Sequence, residues 1–205
     1  MVTKKQLNLI EEFVKNKLDV LNWMHTEAVR PIARYIAEKE GADREIVDVA
    51  ILFHDITKTR LERELYHHKE GADIAKGFLK KIKVDPRFIK EVYHCVLAHS
   101  TPLRYFRSKA KKEHKSASFL PWPKTKEAKV LFDADMVQQI SPYGIAKGLY
   151  VSYVTYKKDF KKGFLSVKKT LMEDAYKNIF TKTGKRLAKQ RIKYLKNFFY
   201  KLENE

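Results

Sequence analysis

The sequence lacks both a pair of cysteines and a long apolar run. Cys95 is the only cysteine, so the chain cannot close an internal disulfide and suits a reducing compartment. The longest uninterrupted apolar stretch, residues 49–53, is far shorter than the ~18 residues that a membrane-spanning helix requires. The amphipathic segment with Glu11 and Glu12 near the start is unlike the apolar core of a secretory signal. We therefore expect a soluble, cytoplasmic protein with no membrane partner.

The composition is otherwise that of an ordinary globular chain. Of the 205 residues, 44% are hydrophobic and 33% are charged, which is sufficient for a sizeable core. This balance excludes an intrinsically disordered chain and a collagen-like repeat. Because a domain has about 150 residues on average, the length fits one domain with an elaboration or two small domains, and we predict a single domain over residues 1–205.

The net charge of +18 is concentrated in two segments. Residues 104–126, the basic loop, have eight Lys and Arg against Glu113 alone, and residues 141–205 have sixteen basic against five acidic residues. The rest of the chain is balanced. A neutral body with two basic segments predicts an anion-handling site or an RNA-facing flank. A lysine-rich solvated surface, as in thermophilic proteins, explains the same charge, and both interpretations stay open here.

Apolar residues recur at three- and four-residue spacing along most of the chain, which is typical of amphipathic helices. Pro31 either begins a fresh helix or kinks an existing one. Residues 100–124 combine three prolines with many lysines and little periodicity, which predicts a long exposed loop. Helix N-caps are predicted at four positions: Asp43, Asp85, Thr125 and Ser166. The sequence therefore predicts an all-α protein of roughly eight helices.

Six of the seven histidines lie within residues 25–99. The adjacent pair His54 and Asp55 follows an apolar helix, where a buried imidazole and carboxylate are costly unless they are paired or bound to a metal. Imidazole together with carboxylate suits Mn, Fe, Co, Ni or Zn, whereas the missing thiolate pair argues against a structural zinc site. A buried hydrogen-bonded polar cluster is the alternative interpretation.

Several short segments resemble the HD-domain metal-dependent phosphohydrolases. The matching positions, in chain order, are the early His25, the pair His54 and Asp55, His67 in a His-x3-Gly-Ala segment, the later His94 and His99, and the distal Asp135. The resemblance covers about residues 20–150. It implies an HD-domain helical bundle, to which residues 151–205 add a basic C-terminal helical extension. Thr57 stands where many members have glycine, and the Gly-Tyr-Pro signature of the cyclic dinucleotide branch is missing, so that branch is not expected.

The resemblance also implies a set of functional residues. One or two divalent ions (Mn, Fe, Co, Ni, Zn or Mg) are expected, with these ligands: His25, His54, Asp55 and Asp135, joined by His67, His94 and His99. Asp55, Lys58 and His67 are the expected catalytic residues. Contacts with the substrate are expected from the following residues: Lys58, His68, His94, His99 and Arg104. The implied reaction is hydrolysis of a phosphate mono- or diester, most plausibly of a nucleotide, by metal-activated water.

Four of these assignments have competing interpretations. Lys58 also suits the terminal carbonyls of a helix, and His68 also suits the surface. His94 and His99 lie five residues apart, about 140° around a helix, so both reach one point only if the helix ends or bends. This favours His99, at the end of the helix. Asp133 lies about 200° around the helix from Asp135, which favours an exposed residue or a neighbour of a ligand.

Two other functions remain open at this point. One is an RNA- or nucleotide-binding protein on an HD scaffold, with residues 104–126 and 141–205 as the interface. The other is a cyclic phosphodiesterase acting on RNA ends, which combines binding and hydrolysis.

Overall fold

The computed structural model describes residues 1–58, 67–99, 121–155, 157, 159–174 and 179–204. Over these residues the chain is all-α, with nine α-helices and no strand, which confirms the predicted fold class. The helices are α1 (Lys4–Lys15), α2 (Val20–Glu40), α3 (Arg44–Phe53), α4 (His67–Lys81), α5 (Pro86–Ala98), α6 (Lys126–Gln139), α7 (Pro142–Tyr150), α8 (Phe160–Lys169) and α9 (Lys182–Asn204). Two π-helical turns, Val151–Thr155 and Thr170–Asp174, follow α7 and α8.

The chain divides into two compact units, Met1–Phe132 and Asp133–Glu205. The single domain predicted over residues 1–205 stays a prediction. Most of the predicted long loop, residues 100–120, lies outside the described residues. None of the described helices is both long and apolar enough to cross a bilayer.

Helix α3 is the centre of the first unit. Its polar residues are Arg44, Glu45 and Asp48, and every residue from Val47 to Phe53 is buried. A helix with so many apolar residues is stable only when other elements cover it, and α1, α2, α4 and α5 all pack against α3. The residues that follow α3 are therefore enclosed as well.

The helix boundaries test the predicted caps. Asp43 and Asp85 each accept two backbone N–H groups at the start of a helix, and Thr125 accepts the N–H of Ala128, so these three caps are confirmed. The cap predicted at Ser166 is wrong, because that residue lies inside α8. Asp159 caps α8 instead by accepting the N–H of Lys162 at 2.8 Å.

Pro31 lies inside α2, which runs without interruption to Glu40. No new helix therefore begins at Pro31, and α2 continues through it as one helix. The helix ends at Gly41, whose φ of +65° is the left-handed conformation that glycine adopts most readily.

An ion-pair cluster joins α1, α2 and α3. The nearly buried carboxylate of Asp48 on α3 accepts paired hydrogen bonds from the guanidinium groups of Arg30 and Arg34 on α2, at 2.8–3.1 Å. Arg30 also reaches Glu11 on α1, with an N–O distance of 2.7 Å. Burial raises the pKa of Asp48, but the hydrogen bonds and charges of the two arginines outweigh burial and hold this pKa below its usual value.

The second unit is organised around a buried aspartate. The carboxylate of Asp133 accepts the backbone N–H groups of Phe180 and Thr181 at 2.8 and 2.6 Å, just before α9 begins. The side chain is fully buried, so the exposed position considered for Asp133 is wrong. A Cβ on Gly184 would lie 2.7 Å from a carboxylate oxygen of Asp133, which explains the glycine in the first turn of α9. The described part of the basic extension is helical, as predicted.

Replacing Asp48 by Asn should lower the free energy of unfolding by about 2–3 kcal/mol, because two guanidinium groups lose their carboxylate. The folded-state pKa of Asp48 is lowered, so its contribution is complete above the unfolded pKa of about 3.9 and is lost as the pH falls through the folded value. The difference between wild type and variant should therefore be constant from pH 7 to about 5 and shrink below about 4. Urea denaturation followed by circular dichroism measures it.

The control is Glu38→Gln, which removes an exposed pair with Lys39 and should cost less than about 0.5 kcal/mol. Equal losses in the two variants would contradict a structural role for the Asp48 cluster.

Candidate metal centre

Five buried side chains meet where four helices begin or end in the first unit. His25 lies on α2, His54 and Asp55 directly follow α3, His67 opens α4, and His99 directly follows α5. None of these five residues is more than 2% exposed. Their ligand atoms form two groups, His25–His54–Asp55 and Asp55–His67–His99, that are each compact enough to hold a metal ion.

The first group lies at the Oδ2 atom of Asp55. The Nε2 atoms of His25 and His54 are 3.2 Å apart, and they lie 3.5 and 3.6 Å from Oδ2. Ligand atoms that bind one ion at 2.0–2.2 Å are separated by about 3.0–3.5 Å in tetrahedral or octahedral geometry. The three atoms therefore have the spacing of a ligand set.

The second group lies at the other carboxylate oxygen, Oδ1. The Nε2 atoms of His67 and His99 are 3.2 Å apart, and they lie 3.8 and 3.5 Å from Oδ1 of Asp55. Although Oδ1 is buried, it accepts no hydrogen bond within the described part of the chain. A buried oxygen that faces two imidazole nitrogens fits a cation between them, so the residues present suit a divalent metal.

Backbone carbonyls fix the orientation of two of the imidazole rings. The Nδ1–H of His54 donates to the Ile51 carbonyl at 2.6 Å, and that of His99 donates to the Val96 carbonyl at 2.5 Å. Because a carbonyl only accepts, the neutral rings have their hydrogen on Nδ1 and a lone pair on Nε2, facing Asp55. These carbonyls belong to the last turns of α3 and α5, which lack the N–H donors of a continuing helix, and the Ile51 carbonyl also accepts a long backbone bond of 3.4 Å from the N–H of His54.

The carboxylate of Asp55 is ionised despite its complete burial. Burial raises the pKa of Asp55, but the ammonium group of Lys58, with Nζ 3.1 Å from Oδ2, and the surrounding histidines outweigh burial and hold this pKa well below its usual range. Lys58 therefore pairs with the carboxylate. The sequence had suggested phosphate or helix carbonyls as its partners.

Two further residues adjust the position of α4, which begins with His67. The hydroxyl of Thr57 donates to the His67 carbonyl at 3.2 Å. A Cβ on Gly71 would lie 3.3 Å from the Phe53 carbonyl oxygen, so glycine allows α4 to approach the end of α3. This close approach is a physical reason for the glycine of the His-x3-Gly-Ala segment. Sequence reasoning noted Thr57 only as a departure from the family pattern and did not identify its hydrogen bond.

The remaining predicted residues lie in different surroundings. His68 is buried rather than on the surface, its ring lies edge-on to that of His67, and its Nδ1 has no hydrogen-bond partner among the described residues. Burial is the main cause that lowers the pKa of His68 to about 4, so its imidazole is neutral at pH 7. His94 lies outside both groups, and its Nε2 accepts the backbone N–H of Lys124 at 3.2 Å. The structure thus brings His99 to Asp55 but directs His94 elsewhere.

Two predicted residues belong to other parts of the chain. Asp135 lies in the second unit, where its buried carboxylate accepts the side-chain amide of Gln139 at 3.2 Å. Its role as a metal ligand stays a prediction. Arg104, predicted to contact the substrate, lies outside the described residues.

Comparisons with solved structures agree with this fold. The chain is similar to Bacillus subtilis YpgQ in complex with ADP, with 23% identity over 98% of this chain and 94% of that chain and a TM-score of 0.71. It is similar to a predicted HD superfamily hydrolase from an uncultured Thermotogales bacterium, with 21% identity over 97% and 92% of the two chains and a TM-score of 0.64. A Lactobacillus plantarum protein is 20% identical over 100% and 98%, with a TM-score of 0.72.

No protein of curated function matches the sequence. The family model of the HD domain, however, matches residues 22–139, which is more than half of the chain and includes all five residues of the two groups. With the fold of the HD superfamily hydrolases and this match, the chain belongs to the HD domain family.

Proposed function

We propose that the protein is a metal-dependent phosphohydrolase that cleaves a phosphate mono- or diester, with a nucleotide as its substrate. The observation that supports this proposal is the ionised, buried carboxylate of Asp55, which has one pair of imidazole nitrogens at each of its oxygens. A buried carboxylate with two imidazole nitrogens at each of its oxygens is suited to binding cations.

One ion would be held by His25, His54 and Oδ2 of Asp55, and a second by His67, His99 and Oδ1 of Asp55. Asp135 is proposed as a further ligand from the second unit. Imidazole with carboxylate favours Mn, Fe, Co, Ni or Zn over Mg, which prefers oxygen ligands and keeps its water. When bound, such an ion supplies Lewis acidity, which lowers the pKa of water and polarises a phosphoryl oxygen.

The other side chains would bind and orient the phosphate. Lys58 holds Asp55 through its ammonium group, and its side chain is 26% exposed, so it is accessible to an anionic substrate. The neutral imidazole of His68 has a ring nitrogen available for a substrate group. His67 is proposed to act both as a ligand and in catalysis. The nucleotide is proposed because YpgQ was solved with ADP, although the likeness at 23% identity concerns the fold.

RNA binding by the basic extension is a second candidate, favoured by its exposed aromatic residues. Tyr153, Phe160 and Tyr200 are 67–70% exposed, and exposed lysines flank them in sequence. Aromatic faces with basic groups nearby suit single-stranded RNA, since bases stack on the rings while lysines contact phosphates. A cyclic phosphodiesterase acting on RNA ends would combine this surface with the metal centre.

Purified protein should contain about one or two equivalents of a transition metal, and His54→Ala should contain at least tenfold less, because His54 supplies a ligand whose orientation the Ile51 carbonyl fixes. Elemental analysis by inductively coupled plasma mass spectrometry measures the content. His94→Ala is the matched control, since it removes a histidine outside both groups and should retain the metal. Full metal content in His54→Ala, with an unchanged circular dichroism spectrum, would refute the proposed ligand set.

Asp55→Asn should lower kcat on a nucleotide panel by ~10³-fold or more, because the amide keeps the shape of the side chain but loses the charge between the two groups. Asp48→Asn serves as control. Asp48→Asn lowers the stability of the fold but leaves the metal centre unchanged. At a temperature where this variant remains folded, its turnover should therefore equal that of wild type. Turnover by Asp55→Asn within tenfold of wild type would contradict the mechanism.

If the basic extension binds RNA, a labelled single-stranded oligouridylate should bind at 50 mM salt, and its affinity should fall steeply between 50 and 200 mM salt. Phe160→Ala with Tyr200→Ala should weaken the binding about fivefold or more through lost stacking. Leu165→Ala, which removes an exposed aliphatic side chain, should leave it unchanged. Fluorescence anisotropy measures the affinity, and no binding at 50 mM salt would eliminate this second candidate.

A further inference from the structure

A pocket of about 420 Å³ lies between α4 and α5, away from the metal centre. Three lysines line it: Lys76 and Lys80 on α4, and Lys90 on α5. The other lining side chains are Val84, Pro86, Ile89 and Tyr93. A volume of this size falls within the range of roughly 300–1,000 Å³ that is typical of small-molecule sites.

The pocket and the metal centre occupy opposite ends of the same pair of helices. His67 begins α4, whereas Lys80 lies near its end, about 20 Å further along the helix axis. The antiparallel helix α5 begins at Pro86, beside the pocket, and its end is followed by His99. A ligand in the pocket would therefore occupy a site distinct from the one that holds the metal.

The charged side chains that line the pocket are all lysines. No carboxylate is among the described residues that line it. The nearby carboxylate of Asp73 accepts the hydroxyl of Tyr93 at 3.2 Å, and the ammonium group of Lys76 lies 5.5 Å from the centre of the Tyr93 ring. Lys76 and Lys80 are one helical turn apart, so their like charges repel each other slightly. An anion between the lysines would remove this repulsion.

The floor of the pocket is apolar. Val84 and Ile89 are buried to 95%, and Pro86 lies between them in sequence. Such a floor contributes nothing to the binding of inorganic phosphate but favours a ligand whose body is apolar or aromatic. A second copy of the chain is a poor occupant, because each copy has a net charge of +18.

We propose that this lysine-lined pocket binds an organic phosphate, with its phosphate at Lys76, Lys80 and Lys90 and its apolar or aromatic body over Val84, Pro86 and Ile89. A nucleotide and an alkyl phosphate share this chemistry. The assignment does not depend on the activity of the metal centre.

The test measures binding to the full chain, freed of metal by a chelator and carrying Asp55→Asn so that the metal centre contributes no metal-dependent binding. Isothermal titration calorimetry measures the affinity for three probes: ADP, hexyl phosphate and inorganic phosphate. Hexyl phosphate or ADP should bind at least about tenfold more tightly than inorganic phosphate, because only they cover the apolar floor. The tighter of the two identifies an aliphatic or an aromatic body.

The variant Lys76→Gln/Lys80→Gln/Lys90→Gln should weaken the binding of the tighter probe by about tenfold or more. The matched control is Lys5→Gln/Lys81→Gln/Lys83→Gln, which changes the net charge equally at exposed lysines outside the lining and should weaken it less than about twofold. Equal effects of the two triple variants, affinities for hexyl phosphate and ADP that both equal that for inorganic phosphate, or no binding of either organic probe would each overturn the assignment. Loss of phosphohydrolase activity in Asp55→Asn alone would leave it intact.

Discussion

The arrangement of the first unit depends on one interaction, the burial of an ionised carboxylate at Asp55. Removing a carboxylate from water costs several kcal/mol unless other charges and dipoles replace the lost hydration. Lys58 supplies the nearest positive charge, and four imidazoles surround the two oxygens. Of these groups, only His54 is adjacent to Asp55 in sequence. Stabilising this single charge therefore requires that α2, α3, α4 and α5 meet at one point.

The ends of the helices meet this requirement in a repeated way. His54 and His99 each directly follow a helix and donate through Nδ1 to a carbonyl three residues earlier. The last turn lacks the N–H donors of a continuing helix, so the imidazole adds a donor to one of its carbonyls and gains a fixed orientation at the same time. His94 lies within α5, five residues before His99, and its ring nitrogen instead accepts a backbone N–H. A position at the helix end, rather than residue type alone, thus distinguishes His99, which faces Asp55, from His94, which does not.

Much of this was predictable from the sequence, and the exceptions have physical causes. Apolar periodicity predicted the helices, and five of the seven predicted ligands meet in the two groups. The cap at Ser166 failed because Asp159, a stronger cap outside the apolar stripe, begins α8 earlier. The burial of Asp133 and the Asp48 cluster depend on partners 14 to 48 residues away, which local pattern does not specify. Asp135 lies in a different unit from the two groups, and its role as a metal ligand stays a prediction.

The geometry at Asp55 offers a place for a cation at each carboxylate oxygen. A single ion at His25, His54 and Oδ2 would leave Oδ1 buried with no hydrogen bond from the described residues, at a cost of about 1–3 kcal/mol. An ion held by His67, His99 and the Oδ1 atom would remove this cost. The presence of a ligand group at each oxygen explains why the carboxylate lies between the imidazole pairs rather than beside one of them.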